Sequence, residues 1–210
     1  VLFEGLSDTE EGDIRVTPDG KILVHILFED GSRSNLAVAK LNANGGLDTS
    51  FNATGKKVIV GLSQSGAANS TMLVQPDGKI LIGNGTQDEI AIYRLNANGT
   101  EDLSFGAGGN KQINSSVLES TAGNMLAIAP DGKIIVVGEK LGLDRDIAVT
   151  RLLANGQIDT SFGSNGFSKV GLGSFEDDAR GVIVDSSGRI LVCADDGVGL
   201  SDKSDSYILR

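Results

Sequence analysis

The sequence predicts an all-β protein of the β-propeller class, with blades of four antiparallel strands. Three observations carry this reading. One turn phrase recurs at near-constant spacing, apolar residues alternate with period two around each copy, and no helical period interrupts them. The phrase "PDGKIL" stands at Pro18–Leu23 and again at Pro76–Leu81, and "PDGKII" stands at Pro130–Ile135. A fourth copy reads "DSSGRIL", Asp185–Leu191. The turn glycines Gly20, Gly78, Gly132 and Gly188 are 58, 54 and 56 residues apart. A second phrase follows at matching places: "KLNANGGLDTSF" (Lys40–Phe51), "RLNANGTEDLSF" (Arg94–Phe105) and "RLLANGQIDTSF" (Arg151–Phe162). The chain thus reads as four units, roughly 5–60, 61–114, 115–170 and 171–210, with an N-terminal strand at 1–4. They form one propeller domain over 1–210, or part of a larger propeller.

Each unit is expected to hold strands A to D. In strand A, Ile14, Met72, Leu126 and Val182 fall together, and so do Val16, Val74, Ile128 and Val184. Such alternation marks one face of a strand. Pro-Asp-Gly is the A–B hairpin turn: Pro presets φ, Asp tolerates the next position, and Gly takes positive φ as the bulge. Strand B is "KILIG" (Lys79–Gly83) and its equivalents, and strand C is "IAIYRL" (Ile90–Leu95) and its equivalents. "NANG" makes a second turn of the same chemistry. A short loop then carries Asp48, Asp102 and Asp159, followed by Phe51, Phe105 and Phe162. Strand D closes the unit, as in "KKVIV" (Lys56–Val60). Val1–Glu4 aligns with the end of a strand D, so the first and last strands are candidates to pair and close a ring.

Composition agrees. Gly is 29 of 210 residues, Pro only 3 and Trp absent, which suits short strands and tight turns. Net charge is −10. Nucleic acid and membrane insertion are therefore not expected: the first needs basic surface, and no apolar run reaches the roughly 20 residues of a spanning helix. A single Cys excludes a disulfide framework within the chain.

The combination of "PDGKIL", "RLNANG" and "LDTSF" resembles the delta-60 repeat, a bacterial β-propeller repeat of large secreted or surface proteins. The resemblance is close in units one to three. Unit four departs, with Ser186 and Ser187 for Pro-Asp and no Leu-Asp-x-Ser-Phe half. It implies a propeller fold and an extracellular or cell-surface setting. It carries over no catalytic residue.

The repeat also tests candidate chemistry. His25, the only histidine, aligns with Gly83, Val137 and Cys193, the only cysteine. A position that takes His, Gly, Val and Cys reads as packing, so no catalytic residue and no certain cofactor is expected. One His and one Cys build neither a Ser/His/Asp set nor a zinc site. The repeated Asp of "LDTSF" reads as a cap on backbone N–H groups. The three Phe read as plugs between blades. Lys21, Lys79, Lys133 and Arg189 are placed on a solvated edge.

The units differ most between strands B and C. In an up-and-down blade the B–C and D–A connections share one end. Taken as 26–35, 84–89, 138–146 and 194–205 for B–C, and 4–13, 61–70, 115–123 and 171–180 for D–A, they hold 20 of the 28 acids and 5 of the 18 bases. That end carries −15 and the rest of the chain +5. Variable loops on a rigid scaffold are the usual place for binding. Asp8, Glu10, Glu11, Asp13, Glu176, Asp177 and Asp178 are the candidate binding face. Asp195, Asp196, Asp202 and Asp205 are candidate metal ligands, and hard oxygen ligands suit Ca²⁺. The expectation is a non-enzymatic structural or interaction module of a secreted or cell-surface bacterial protein. It would bind a protein or glycan partner, or itself, through this acidic face. Two alternatives stand beside it. One is a self-assembling subunit of an extracellular fibre or oligomer. The other is a metal-dependent propeller enzyme of lactonase or lyase type.

Overall fold

The computed structural model describes residues 9–30, 33–64, 69–85, 89–114, 126–140, 146–172, 176–197 and 205–210. The segment Val1–Glu4 lies outside them. The described residues form four antiparallel sheets, one per unit. Unit one holds β1 (Thr9–Val16), β2 (Ile22–Asp30), β3 (Arg33–Leu41) and β4 (Lys56–Gln64). Unit two holds β5 (Asn69–Val74), β6 (Ile80–Gly85), β7 (Glu89–Leu95) and β8 (Asn110–Asn114). Unit three holds β9 (Leu126–Ile128), β10 (Ile134–Lys140), β11 (Asp146–Leu152) and β12 (Phe167–Val170). Unit four holds β13 (Glu176–Val184), β14 (Ile190–Gly197) and β15 (Ser206–Leu209). Strands pair in chain order within every sheet. Among the described residues the only helix is one 3-10 turn, Phe51–Ala53.

The turn chemistry is as the sequence predicts. Gly20, Gly78, Gly132 and Gly188 have φ of 75°, 81°, 82° and 79°, which a residue with a Cβ adopts only under strain. In unit one the Gly20 N–H donates to Thr17 O at 2.9 Å and the Thr17 N–H to Lys21 O at 2.8 Å. Unit four keeps this geometry without Pro-Asp, because Asp185 supplies the cap from the first turn position. Its Oδ1 accepts the Ser187 and Arg189 N–H groups at 2.8 and 3.0 Å.

Three apolar cores sit between neighbouring sheets, not inside any one of them. Alternation along each strand sends odd and even residues to opposite faces. The forward face of unit one (Leu23, Leu27, Leu36, Val38, Ile59) packs on the back face of unit two (Met72, Ile80, Ile82, Leu95). Units two and three repeat the arrangement, with Leu81, Ile90 and Ile92 meeting Leu126, Ile134 and Val136. Units three and four repeat it again, with Ile135, Val137 and Val149 meeting Ala179, Val182 and Val192. A strand buried on both faces must be apolar throughout, which explains runs such as Ile80-Leu81-Ile82.

Phe51 and Phe105 are fully buried plugs in the first two cores. Each is roofed by the "NANG" glycine of the next unit. A Cβ on Gly99 would lie 2.8 Å from Phe51 Cε2, and one on Gly156 the same distance from Phe105 Cε2. Backbone bonds fix the contact: the Asn52 N–H donates to Asn98 O at 2.6 Å, and the Gly106 N–H to Asn155 O at 2.8 Å. Phe162 departs from this expectation and is only half-buried. No such turn of unit four lies over it among the described residues, and it lines a cleft of about 440 Å³ with Ile190 and Leu209.

A further correction concerns the lysines after the turn. Lys21, Lys79 and Lys133 do not lie free on a solvated edge. They reach Asp48, Asp102 and Asp159 at 2.6, 2.9 and 3.3 Å. Each of these aspartates also caps as expected: Asp102 Oδ1 accepts the Ser104 N–H at 3.1 Å and Oγ–H at 2.6 Å. Arg94 and Arg151 donate Nε to the same carboxylates at 2.7 and 2.8 Å and lie over Phe105 and Phe162, 4.5 and 4.7 Å from the ring centroids. Arg189 finds Asp185 instead, and Lys40 lies 3.5 Å from Asp19. At this end of the sheets the chain neutralises its own carboxylates.

Candidate functional site

The opposite end differs. Where they are described, the segments assigned to loops there are largely strand. Pairing of β2 with β3 runs out to Asp30 and Arg33, and pairing of β13 with β14 runs out to Glu176 and Gly197. Acids therefore stand on sheet rims, at fixed register in β13 and β14. Glu10, Glu11 and Asp13 lie on β1, Glu176, Asp177 and Asp178 on β13, and Asp195 and Asp196 on β14. Asp8 and Asp202 lie outside the described residues.

Unit four gathers these residues most closely. Asp177 pairs with Asp196 across the strands and Asp178 with Asp195, so they fall on opposite faces of the sheet. Asp178 and Asp195 share one cation. Arg180 donates Nε to Asp195 Oδ2 at 2.9 Å and an NH2 to Asp178 Oδ2 at 3.1 Å. Ser206 Oγ–H donates to Asp195 Oδ1 at 2.9 Å. The Arg180 and Ser206 hydrogen bonds hold the Asp195 carboxyl below its ordinary range, and Asp195 in turn raises the guanidinium. Asp177 is buried, and its Oδ2 accepts the Leu172 N–H at 2.6 Å. On the same face Asp196 Oδ1 accepts the Asp205 N–H at 2.5 Å. The Tyr207 hydroxyl lies 3.4 Å from Asp196 Oδ2, and its phenol is pushed up by Asp196, by burial and by Asp205. That shift reports a negative local field.

Among the described residues, no three His, Cys, Asp or Glu groups converge as a metal site. Asp195 and Asp196 are neighbours in sequence but point to opposite faces. Asp13 is engaged locally: its Oδ1 accepts the Ile14 N–H at 2.7 Å and pairs with Arg15.

His25 is packed as expected for its position, whereas Cys193 is not. His25 is fully buried between units one and two, its Nε2 2.7 Å from Ser70 Oγ. Burial first of all lowers its pKa to about 4. Cys193 is exposed on the forward face of unit four.

Sequence reasoning missed Arg180, Ser206 and Tyr207 as members of the rim. A signal for Arg180 was present, since it is the one base in the four D–A segments. The Arg94 and Arg151 bridges had a signal too. The interval from strand-C cation to Phe is 11 residues in all three complete units. A fixed interval beside variable ones marks a contact.

No curated protein sequence matches the chain. Several solved structures are similar to it, among them two enzymes. Polysaccharide lyase Uly1 aligns at 14% identity and TM-score 0.46, over 94% of this chain and 57% of that one. The GH43 β-1,3-galactosidase BT0265 aligns at 13% identity and TM-score 0.48, over 95% of this chain and 42% of that one. The chain thus spans about half the length of the solved structures it matches. Both are enzymes, and this overturns the expectation that enzyme activity is excluded. At these scores the likeness transfers no residue and no substrate. Residues 17–51, 75–105 and 129–162 match the family model described as a domain of unknown function, DUF5122 beta-propeller, so these three segments carry a β-propeller repeat.

Proposed function

We propose that the chain is a single β-propeller domain that binds a cationic ligand, an amine-bearing glycan, at its acidic rim. The best-formed part of that rim is the Asp178–Arg180–Asp195–Ser206 cluster of unit four, on the opposite face of the sheet from Asp196 and Tyr207. The observation that supports it is the charge asymmetry. The turn end pairs its aspartates with its own Lys and Arg side chains, whereas the D–A and B–C segments carry −15. At the rim two carboxylates share the one guanidinium of Arg180. Carboxylate, hydroxyl and guanidinium groups on rigid strands present fixed acceptors and donors to sugar hydroxyls and amines. The setting that fits is the extracellular or cell-surface one implied by the repeat resemblance.

The test is calorimetric titration with chitosan oligosaccharides at low and high salt. Binding that weakens with salt and falls at least tenfold in D178N/D195N is the expected result. Binding that ignores both salt and the variant would sink the reading. The same mixtures, analysed for new reducing ends, tell binding alone from cleavage.

A further inference from the structure

Three polar side chains meet inside the apolar seam between units one and two, toward the acidic end of the sheets. His25 alternates with Leu23 and Leu27 on the forward face of unit one, and Ser70 and Asn84 pair in register on the back face of unit two. His25 Nε2 lies 2.7 Å from Ser70 Oγ. His25 and Asn84 are 0% and 1% exposed, and Ser70, on β5 beside β1, is half-buried. His25 Nδ1 and both amide atoms of Asn84 have no hydrogen-bond partner among the described residues. The positions matching His25 and Asn84 are Gly83 and Gly138 between units two and three, and Val137 and Ala194 between units three and four. The fold therefore needs no polar group here, and an unpartnered one costs stability wherever it is buried. His25 reads as packing from its counterparts alone, but no counterpart faces a hydroxyl and an amide together.

We propose that Ser70 is a nucleophile, with His25 as its general base and the Asn84 amide as donor to the oxyanion, and that the site hydrolyses esters of short acyl groups. A serine hydroxyl within hydrogen-bond reach of an imidazole is the arrangement that activates it. With the ring proton on Nδ1, Nε2 accepts from Ser70 Oγ–H. As Oγ attacks the acyl carbon, its proton passes to Nε2. That proton leaves with the alcohol oxygen as the ester C–O bond breaks, and the acyl group stays on Ser70. Water then attacks the acyl-serine and gives a proton to Nε2. The carboxylic acid departs as this proton returns to Ser70 Oγ. Asn84 Nδ2 is an amide donor without an acceptor, the kind of group that stabilises a carbonyl oxygen as it gains charge. Burial first of all lowers the imidazole to about 4, with Asp13 pulling it up and Arg15 down, so the ring is neutral at pH 7 and able to take a proton. A base this weak suits an ester rather than the less reactive amide. The closed surroundings of His25 and Asn84 admit a short acyl group only. The activity is independent of the ligand proposed for the rim.

A fluorophosphonate probe and p-nitrophenyl acetate, applied to the 210-residue chain at pH 7.5, test this. Peptide mass spectrometry should find one adduct, on Ser70. S70A should lose that adduct and at least tenfold of the ester turnover. H25V carries the residue that unit three has at this position, so it should be folded by circular dichroism and label about a hundredfold more slowly. N84A should lower kcat at least tenfold with KM unchanged, whereas an Asn84 that only packs would move the melting temperature and leave kcat alone. An unlabelled Ser70 in the folded wild-type chain, or H25V and N84A chains that label and turn over at the wild-type rate, would overturn the assignment.

Discussion

Replacing His25 by Val, the residue unit three carries there as Val137, should flatten the stability of the protein between pH 7.5 and 5. His25 sits on β2 opposite Asp13 of β1 and Val38 of β3. Its Nε2 reaches Ser70, and Nδ1 has no hydrogen-bond partner among the described residues. Arg15 lies nearby on β1, and Lys57, opposite Val38 on β4, is drawn off to Glu101 at 2.8 Å. Asp13 pulls the ring's pKa up and Arg15 pulls it down, but burial dominates and leaves it at about 4 against 6.5 when unfolded. The unfolded chain therefore binds the proton more readily. Stability is complete above pH 6.5 and falls as pH drops toward 4. The gap corresponds to about 3 kcal/mol in full, of which about 2 kcal/mol is lost by pH 5. For a chain of this size that is about 4–8 °C in melting temperature. The aspartates do not confuse the window: Asp48, held at about 2 by Lys21 and Ser50, loses its contribution only below 3.8. Urea unfolding at the two pH values, on wild type and H25V, gives two slopes to compare. Equal slopes would refute the reasoning, because the buried imidazole would then not be the group that titrates.

Four other outcomes are expected. F105A should cost about 3–5 kcal/mol and F162A markedly less, because only the first is fully buried; equal losses in urea melts would contradict the roofing argument. D102N should cost about 1–2 kcal/mol, discounted for the water that still reaches Lys79, and should reduce acid sensitivity. Burial pushes the Asp102 carboxyl up, but the Lys79 and Ser104 hydrogen bonds outweigh it and hold it well below the usual range, so its contribution is lost as pH falls below 3.8. G99A should destabilise more than G20A: both positions have positive φ, but a Cβ at Gly20 meets nothing within 4 Å and one at Gly99 strikes Phe51. Calcium at millimolar concentration against EDTA tests whether the Asp195–Asp205 segment takes Ca²⁺; an unchanged melting temperature would dismiss that ligand set.

The sequence by itself determined the strands, their order and both turns. A phrase repeated with its flanking alternation fixes register locally, and hairpin pairing needs only neighbours in the chain. It also separated the acidic end from the turn end, since connection order alone puts B–C and D–A together. It placed Phe51 and Phe105 in cores for the same reason. Only the tertiary structure decided what the charges do. Lys21 and Asp48 are 27 residues apart in sequence, and no periodicity reveals that a lysine leaves the solvent edge to meet a buried carboxylate. The rim could not be resolved in advance either, because pairing carried the strands into the expected loops. Once extended, alternation sent Asp195 and Asp196 to opposite faces and gave Asp195 to Arg180. The identical back-face position is buried in three units and open in the first. Burial here belongs to the contact between sheets and not to the residue, so copies of one sequence pattern take different fates according to what stands beside them.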